Sequence, residues 1–514
     1  MALLRSIATV GGYTLASRVL GFARDVLMAA ALGAGPVADA FFVAFKLPNF
    51  FRRLFAEGAF NAAFIPLFAG RLAAEGEDVA RRFAEEVQAV VAMTLLALVL
   101  AFEIFMPWLL HVIAPGFADT PARYALTVDL ARITMPYLMF ISLVSLMGGV
   151  LNGLGRFAAA AAAPILLNLC LIGALLAGAR VAPSAAHALA WGVALAGVVQ
   201  ALWMVAACYR AGMPLRPAVP RFGPPVRRLV RLMIPGAIGA GVVQINLLID
   251  VVIASLLPLG SISFLFFADR VNQLPLGVVG IAVGTALLPL LTRQLRQGDQ
   301  EGAASSVNRA IEIGMLLTVP AAVALVAIPG PIVTVLFQRG AFGPDDASAT
   351  AAALAAYACG LPAYVLIKIL APGFFAREDT ATPVKIASAC VAINLVLNLL
   401  LMGPLAHVGI AAATATSAWI NALSLAALLR RRGFLAPDAR LRRRLPRIVA
   451  ASLAMGLGLW ALAPMLRPWL YGTMPGQALA LAGIVAAGAI VFAALALATG
   501  AASGSDLRRF LDRK

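Results

Sequence analysis

Charge is scarce in this chain. Of 514 residues only 12% are Asp, Glu, Lys or Arg, against about 25% in soluble domains. With 62% of residues hydrophobic, too little polar surface remains for a soluble particle of this length. Cysteine is scarce as well. Cys170, Cys208, Cys359 and Cys390 stand in apolar stretches without metal-ligand or disulfide-framework spacing, and they read as small buried packing residues. The histidines His111, His187 and His407 are isolated from one another, which excludes a histidine-built metal centre. No G-x-x-x-x-G-K-[ST] run occurs, which excludes ATP hydrolysis by the P-loop route. Neither a Ser/His/Asp nor a Cys/His set stands out. Ten-residue alternating patterns are missing too, which argues against an outer-membrane barrel.

What the chain does have is a succession of apolar runs, each of about the 20 residues that span the bilayer core as helix. The reading is an all-α integral membrane protein with about 14 transmembrane helices. Their approximate limits are 7–32, 37–68, 86–112, 125–152, 160–179, 186–209, 229–257, 262–291, 309–337, 348–374, 384–402, 408–429, 446–465 and 478–500. Arg18 and Arg24 interrupt the first run, so it is not a cleaved signal core. The net charge is +17, nearly all from arginine. These arginines mark topology better than they mark a nucleic-acid surface. With the N-terminus inside, the cytoplasmic connections carry Arg71, Arg81, Arg82, Arg156, the 210–228 group, Arg430–Arg432, Arg440–Arg447 and the tail Arg508, Arg509, Arg513 and Lys514. The opposite connections hold only Arg123, Arg180, Arg339 and Arg467. This asymmetry places both termini in the cytoplasm.

The Pro- and Arg-rich connection at 210–228 separates six spans from six, and a second basic linker at 430–447 sets off the last two. The expected division is an N-lobe at 1–222, a C-lobe at 223–432, and a final helix pair with a tail at 433–514. A faint repeat relates the two lobes: LNGLGRFAAAAAAPILLNL and LAPGFFAREDTATPVKIAS each place a Gly, an Arg and a helix-opening Pro at matching positions. Such repeats are typical of transporters, and Gly–Arg–Pro boundaries are also ordinary topology punctuation.

Charges inside the spans carry the functional argument. Each costs several kcal/mol at bilayer depth unless it faces protein or a wet cavity. In the second span Asp39, Lys46 and Arg53 stand seven apart, so each steps back only about 20° around a helix. Asn49 and Glu57 fall near the same stripe, and Arg52 adjoins it. The stripe serves either as structural ion pairs between helices or as a cavity wall for an anionic ligand. The surplus of cations favours the wall. Arg52 and Arg53, near the helix end, also suit snorkelling. The first span carries Arg18, with no local partner, and Arg24 beside Asp25. A later span carries Asp269 and Arg270 shortly before Pro275, where a kink suits a moving helix. Guanidinium forks match phosphate oxygens, so Arg18, Arg24 and Arg270 read as a diphosphate site with Lys46 as a point charge. A quieter polar set is Asp250 with Asn394, Asn398 and Thr414. Their oxygens suit a hard cation such as Na⁺, and equally suit interhelical hydrogen bonding.

The runs RVLGFARD (18–25), DAFFVAFKLPNFFRRLFAEGAFNAAFIP (39–66), APGFAD (114–119), FFADRVNQLPLGVVGIAVGTALLP (266–289) and LAPGFFAREDTATPVK (370–385) resemble the lipid II flippase family (MurJ, also called MviN). That family belongs to the multidrug/oligosaccharidyl-lipid/polysaccharide exporter superfamily. The resemblance implies two six-helix lobes around a central cavity, two further helices lining a lipid groove, and alternating access. It implies as substrate undecaprenyl-diphosphate bearing the disaccharide-pentapeptide cell-wall precursor, flipped across the bacterial inner membrane. Arg18, Arg24, Asp39, Lys46, Arg52, Arg53, Asp269 and Arg270 are carried over as substrate-binding residues. Gln273 departs from relatives that have an acid there. No organic cofactor is implied; Na⁺ at the Asp250 set or the membrane potential is the expected energy source. The expected partners are the precursor, membrane lipids and other cell-wall synthesis proteins, with no nucleic acid. The alternatives are a polysaccharide-lipid or drug/cation exporter of the same superfamily, whose drug-binding members favour acidic cavities, and a polyprenyl-phosphate membrane enzyme. The enzyme would need a carboxylate cluster for metal at one membrane face, and none is found in the sequence.

Overall fold

In a computed structural model the chain is helical and, among the described residues, contains no strand. Those residues are 2–53, 60–178, 181–284, 287–470 and 472–503, with side chains at 2–8, 235–240, 242–243 and 278–284 also left aside. Glu57, Arg180, Arg508, Arg509, Arg513 and Lys514 lie outside the described residues.

Two compact units follow one another, Met1–Ser263 and Phe264–Lys514. The first holds α1 (Ala2–Leu32), α2 (Pro36–Phe51), α3 (Phe60–Glu75), α4 (Glu77–Ile113), α5 (Pro121–Thr134), α6 (Tyr137–Gly153), α7 (Ala158–Leu176), α8 (Ala185–Arg210) and α9 (Pro224–Ser255). Then come α10 (Ser261–Gly284), α11 (Leu287–Arg296), α12 (Gln300–Ala327), α13 (Pro329–Phe337), α14 (Pro344–Phe375), α15 (Ala381–Arg431), α16 (Ala439–Leu462), α17 (Arg467–Leu470) and α18 (Met474–Ala498). Among the described residues nine helical runs are long and apolar enough to cross a bilayer, by length and composition. The expected spans 384–402 and 408–429 both fall in α15, which breaks at Ala406 (φ 47, ψ −129) two residues after Pro404.

Local chemistry sets the helix ends. Proline occupies the first turn of α2, α5, α9, α13 and α14, where its missing N–H costs nothing. Asp299 and Asp438 cap α12 and α16 by accepting from Gly302 N (2.8 Å) and Leu441 N (2.7 Å). Gly33 closes α1 in the left-handed region (φ 66), where a Cβ would be strained.

Packing in the first unit uses small residues and aromatic rings. Gly197 on α8 accepts Tyr137 and Phe140 of α6 so closely that a Cβ would meet them at 3.0–3.1 Å. Phe60, Phe64 and Phe68 stack in a row along α3, with Phe83 of α4 against Phe64 at 5.7 Å. Polar side chains fasten the helices by bonding backbone carbonyls: Gln200 donates to Ala163 O (2.7 Å), and Thr134 to Ala44 O (3.1 Å). In the second unit Phe267, Phe337 and Phe342 form one ring cluster. A larger apolar core runs through α11, α12, α14, α15 and α16 around Ile369, Leu370, Phe374 and Leu429. All four cysteines are free thiols, and Cys208 and Cys390 are buried as expected. Cys170 and Cys359 differ, the first being half-buried and the second exposed. The outer surface of a membrane helix meets lipid, so an apolar thiol is as well placed there as inside.

Asp39 on α2 is a heavily bonded charge of the first unit. Its carboxylate is fully buried and accepts from Arg123 Nη2 (2.7 Å), Gly260 N (2.8 Å), Ser263 N (2.9 Å) and Ser263 Oγ (2.6 Å). The Arg123 guanidinium also lies over the Phe117 ring, 3.5 Å from its centroid. One carboxylate thus joins α2 and α5 and satisfies free N–H groups at the start of α10.

Breaking a buried ion pair from one side strands the other charge. Arg123→Leu is therefore expected to cost about 3–5 kcal/mol of stability, seen as a lower Tm in detergent. Adding Asp39→Asn removes the stranded charge and should restore part of the loss. A double variant no more stable than Arg123→Leu would refute the coupling. A second test concerns the α14–α15 connection, where the Asp379 carboxyl is pulled down to about 2 by the Thr382 hydroxyl, then the Arg432 guanidinium and the Thr382 N–H. Because the native value lies below the ordinary 3.8, this stabilisation is present above the ordinary value and is lost as pH falls through the native value of about 2. Asp379→Ala should lower Tm at neutral pH, and the gap should narrow as pH falls through about 2; a constant gap across that range would contradict the assignment.

Candidate functional site

The charged residues singled out in the sequence divide between the two units. In the first unit, α1 carries two arginines with opposite fates. Arg24 is buried. Its Nε and Nη2 donate to Asp25 Oδ1 at 3.0 and 2.6 Å, and its Nη1 donates to Asn168 Oδ1 at 2.9 Å. Asn168 on α7 returns a bond to Ser17 O at 2.9 Å, and Gly21 leaves the space this amide needs. Arg18, six residues earlier, is exposed, and among the described residues no hydrogen bond or ion pair holds it. A buried guanidinium must be matched by acceptors, whereas an exposed one keeps its donors for a ligand or water.

The stripe on α2 divides in the same way. Asp39 is sunk into its four bonds, while Lys46 and Arg53 are exposed. Arg52 is half-buried and its Nε donates to Asn49 Oδ1 at 3.2 Å. Pro48 interrupts the ladder, and the Arg52 N–H bonds both Pro48 O and Asn49 O as the helix ends. A stripe that is continuous by seven-residue spacing is thus buried at one end and open at the other.

On α10, Asp269 accepts from the Gln273 amide one turn on. The residue that departs from the acid of some relatives is therefore a donor to the neighbouring acid. Arg270 lies over the Phe266 ring, its guanidinium carbon 4.7 Å from the centroid. The proposed cation ligands of the second unit come together. Asn398 Nδ2 donates to Asn394 Oδ1 at 2.9 Å, Asn394 Nδ2 reaches Thr414 Oγ1 at 3.5 Å, and Thr414 donates to Ile410 O at 2.9 Å. Both asparagines are buried. Asp250 is half-buried on α9 of the first unit. Among the described residues no group of three or more His, Cys, Asp or Glu is arranged to hold a metal ion, so any cation here would rely on amide and hydroxyl oxygens.

Sequence reading did not find the partners. Arg123 was placed in an outer connection, yet it is buried against Asp39. Asn168 carried no signal beyond being an amide in an apolar run. In both cases the clue is the rule that a charge sunk in a membrane helix needs a polar partner on another helix.

The family model described as lipid II flippase MurJ matches residues 28–479. A protein of Rhizobium meliloti (strain 1021), named probable lipid II flippase MurJ, is 49% identical over 520 residues, covering 100% of this chain and 97% of the relative. One from Burkholderia cenocepacia, named lipid II flippase MurJ, is 36% identical over 90% of each chain. The solved structure titled "Lipid II flippase MurJ, inward closed conformation" superimposes with TM-score 0.79 at 24% identity, covering 98% of this chain and 99% of its own. The match extends through every helix from α2 to α16, and the chain belongs to the lipid II flippase MurJ family.

Proposed function

We propose that this protein is a lipid II flippase of the bacterial inner membrane. It carries undecaprenyl-diphosphate with its disaccharide-pentapeptide head from the cytoplasmic to the outer leaflet by alternating access. The observation that carries this reading is family membership over nearly the whole chain. The distribution of charge supplies the chemistry. Arg24 pairs with Asp25 and Asp39 with Arg123, while Arg18 on α1, Lys46 on α2 and Arg53 just beyond its end are exposed. A diphosphate brings the charge such groups match, and arginine forks bind it with two parallel bonds. Arg270 is the corresponding cation of the second unit. The polyprenyl tail stays in lipid along α16 and α18, whose outward Leu453, Leu457, Trp460, Leu479 and Ile490 are exposed.

No covalent bond is made or broken in this cycle, so the protein acts as a transporter and not as an enzyme. The arginine distribution supports cytoplasmic termini. The return step is driven by the membrane potential or by a cation held at Asn394, Asn398 and Thr414. Each elementary charge moved is worth about 2.3 kcal/mol per 100 mV.

Arg18→Ala and Arg270→Ala should each abolish rescue of cells depleted of their own flippase while membrane accumulation stays normal. Full rescue by both variants would remove the diphosphate assignment. Purified protein in vesicles should translocate labelled lipid II, faster with an imposed potential or Na⁺ gradient. Equal rates under all conditions would discard coupling, and no translocation by the intact protein would discard the flippase reading.

A further inference from the structure

Three arginines, Arg309, Arg440 and Arg444, converge on the Glu312 carboxylate of α12, and the transport chemistry above makes no use of it. Its side chain is 5% exposed. Arg440 donates to it three times, from Nε at 3.1 and 3.3 Å and from Nη2 at 2.9 Å. Arg444, one turn further along α16, and Arg309, one turn back on α12, also pair with it. Arg309 reaches on to Asp438, the residue that caps α16. Beside this cluster Asn308 donates to Ala436 O at 2.8 Å. The start of α16 is thus bound to α12 by three cations and two carboxylates.

Further along the α16–α18 pair the described contacts with α12 are of another kind. Its contact with α12 is apolar: Gly456 lies against Val323 and Ala327, and Ile448 packs with Ala496 near Leu316 and Val319. Its outer faces are exposed apolar side chains. Within lipid, apolar faces gain nothing from leaving the solvent, so packing and polar contacts alone set where a helix rests. Removing Glu312 leaves three cations around one carboxylate, and their repulsion drives the start of α16 away from α12.

We infer that Glu312 is a positioning residue, an acidic clasp that holds the α16–α18 pair against α12 in the placement lipid transport requires. The inference rests on the flippase reading, in which this pair carries the polyprenyl tail. Glu312 itself touches no substrate.

A covalent tie elsewhere on the same helix pair tests this. An ideal Cβ at Gly456 would lie 3.8 Å from Val323 Cβ, within the roughly 3.5–4.5 Å a disulfide spans. The variant Val323→Cys with Gly456→Cys is made with and without Glu312→Ala, and in parallel with Glu312→Gln. Disulfide formation in membranes, with copper phenanthroline added as oxidant, is read as the loss of two thiols taggable after denaturation, and transport as movement of labelled lipid II in vesicles. With Glu312 intact the disulfide should form readily. Replacing Glu312 should slow its formation several-fold and lower transport by about tenfold or more. Once formed, the disulfide should restore transport in the Glu312 variants, and reduction should abolish that rescue. Cross-linking at the unaltered rate, or oxidised variants that stay inactive, would overturn the proposal. Loss of both Glu312 variants from the membrane despite the tie would also overturn it, making Glu312 a folding residue. Absence of transport by the unaltered protein would overturn the flippase reading alone, because the cross-linking rates test the clasp independently.

Discussion

A charge in a lipid-embedded helix must be answered by a nearby polar group, and this requirement organises the structure. Asp39 is the clearest case. Four donors from three places in the chain converge on one carboxylate. Hydrophobic attraction between helices is weak in lipid, so such polar contacts carry an unusual share of the specificity of assembly. Breaking one costs more than the bond itself, because the partner is left charged and dry.

The same rule separates structural from functional charge. Arg24 and Asp39 are met within the protein, Arg24 by Asp25 and Asn168. Arg18 stands exposed on the same helix as Arg24. A protein that transports a diphosphate needs both kinds: fixed pairs to hold its helices in register, and cations whose donors remain for cargo. The polar contacts among Asn394, Asn398 and Thr414 occupy a middle position. They hold the two halves of α15 together across the break at Ala406, and cation binding there would exchange these bonds for metal contacts.

The two units solve fastening differently. Besides the Asp39–Arg123 and Arg24–Asn168 contacts, the first uses amide-to-carbonyl bonds and glycine contacts between closely spaced helices. The second adds arginine networks at its helix ends, around Glu312 and around Asp379. Arginine suits these places because its five donors serve several acceptors at once, as Arg309 does with Glu312 and Asp438.

Much of this was readable without coordinates. Apolar run length dictated helices of membrane-spanning size, because hydrocarbon tolerates little else. Adjacent residues also declared themselves, as with Arg24 beside Asp25. Helix boundaries within long runs were less plain, as α15 shows by carrying two expected spans across one kink. Periodicity placed Asp39, Lys46 and Arg53 on one stripe, yet only folding decided that the first would be buried and the others open. Arg123 lies 84 residues from Asp39, and Asn168 lies 144 from Arg24. A helical sequence specifies the angle at which each side chain leaves its own axis. What waits opposite is set by which helices become neighbours, and that is a property of the packed chain alone.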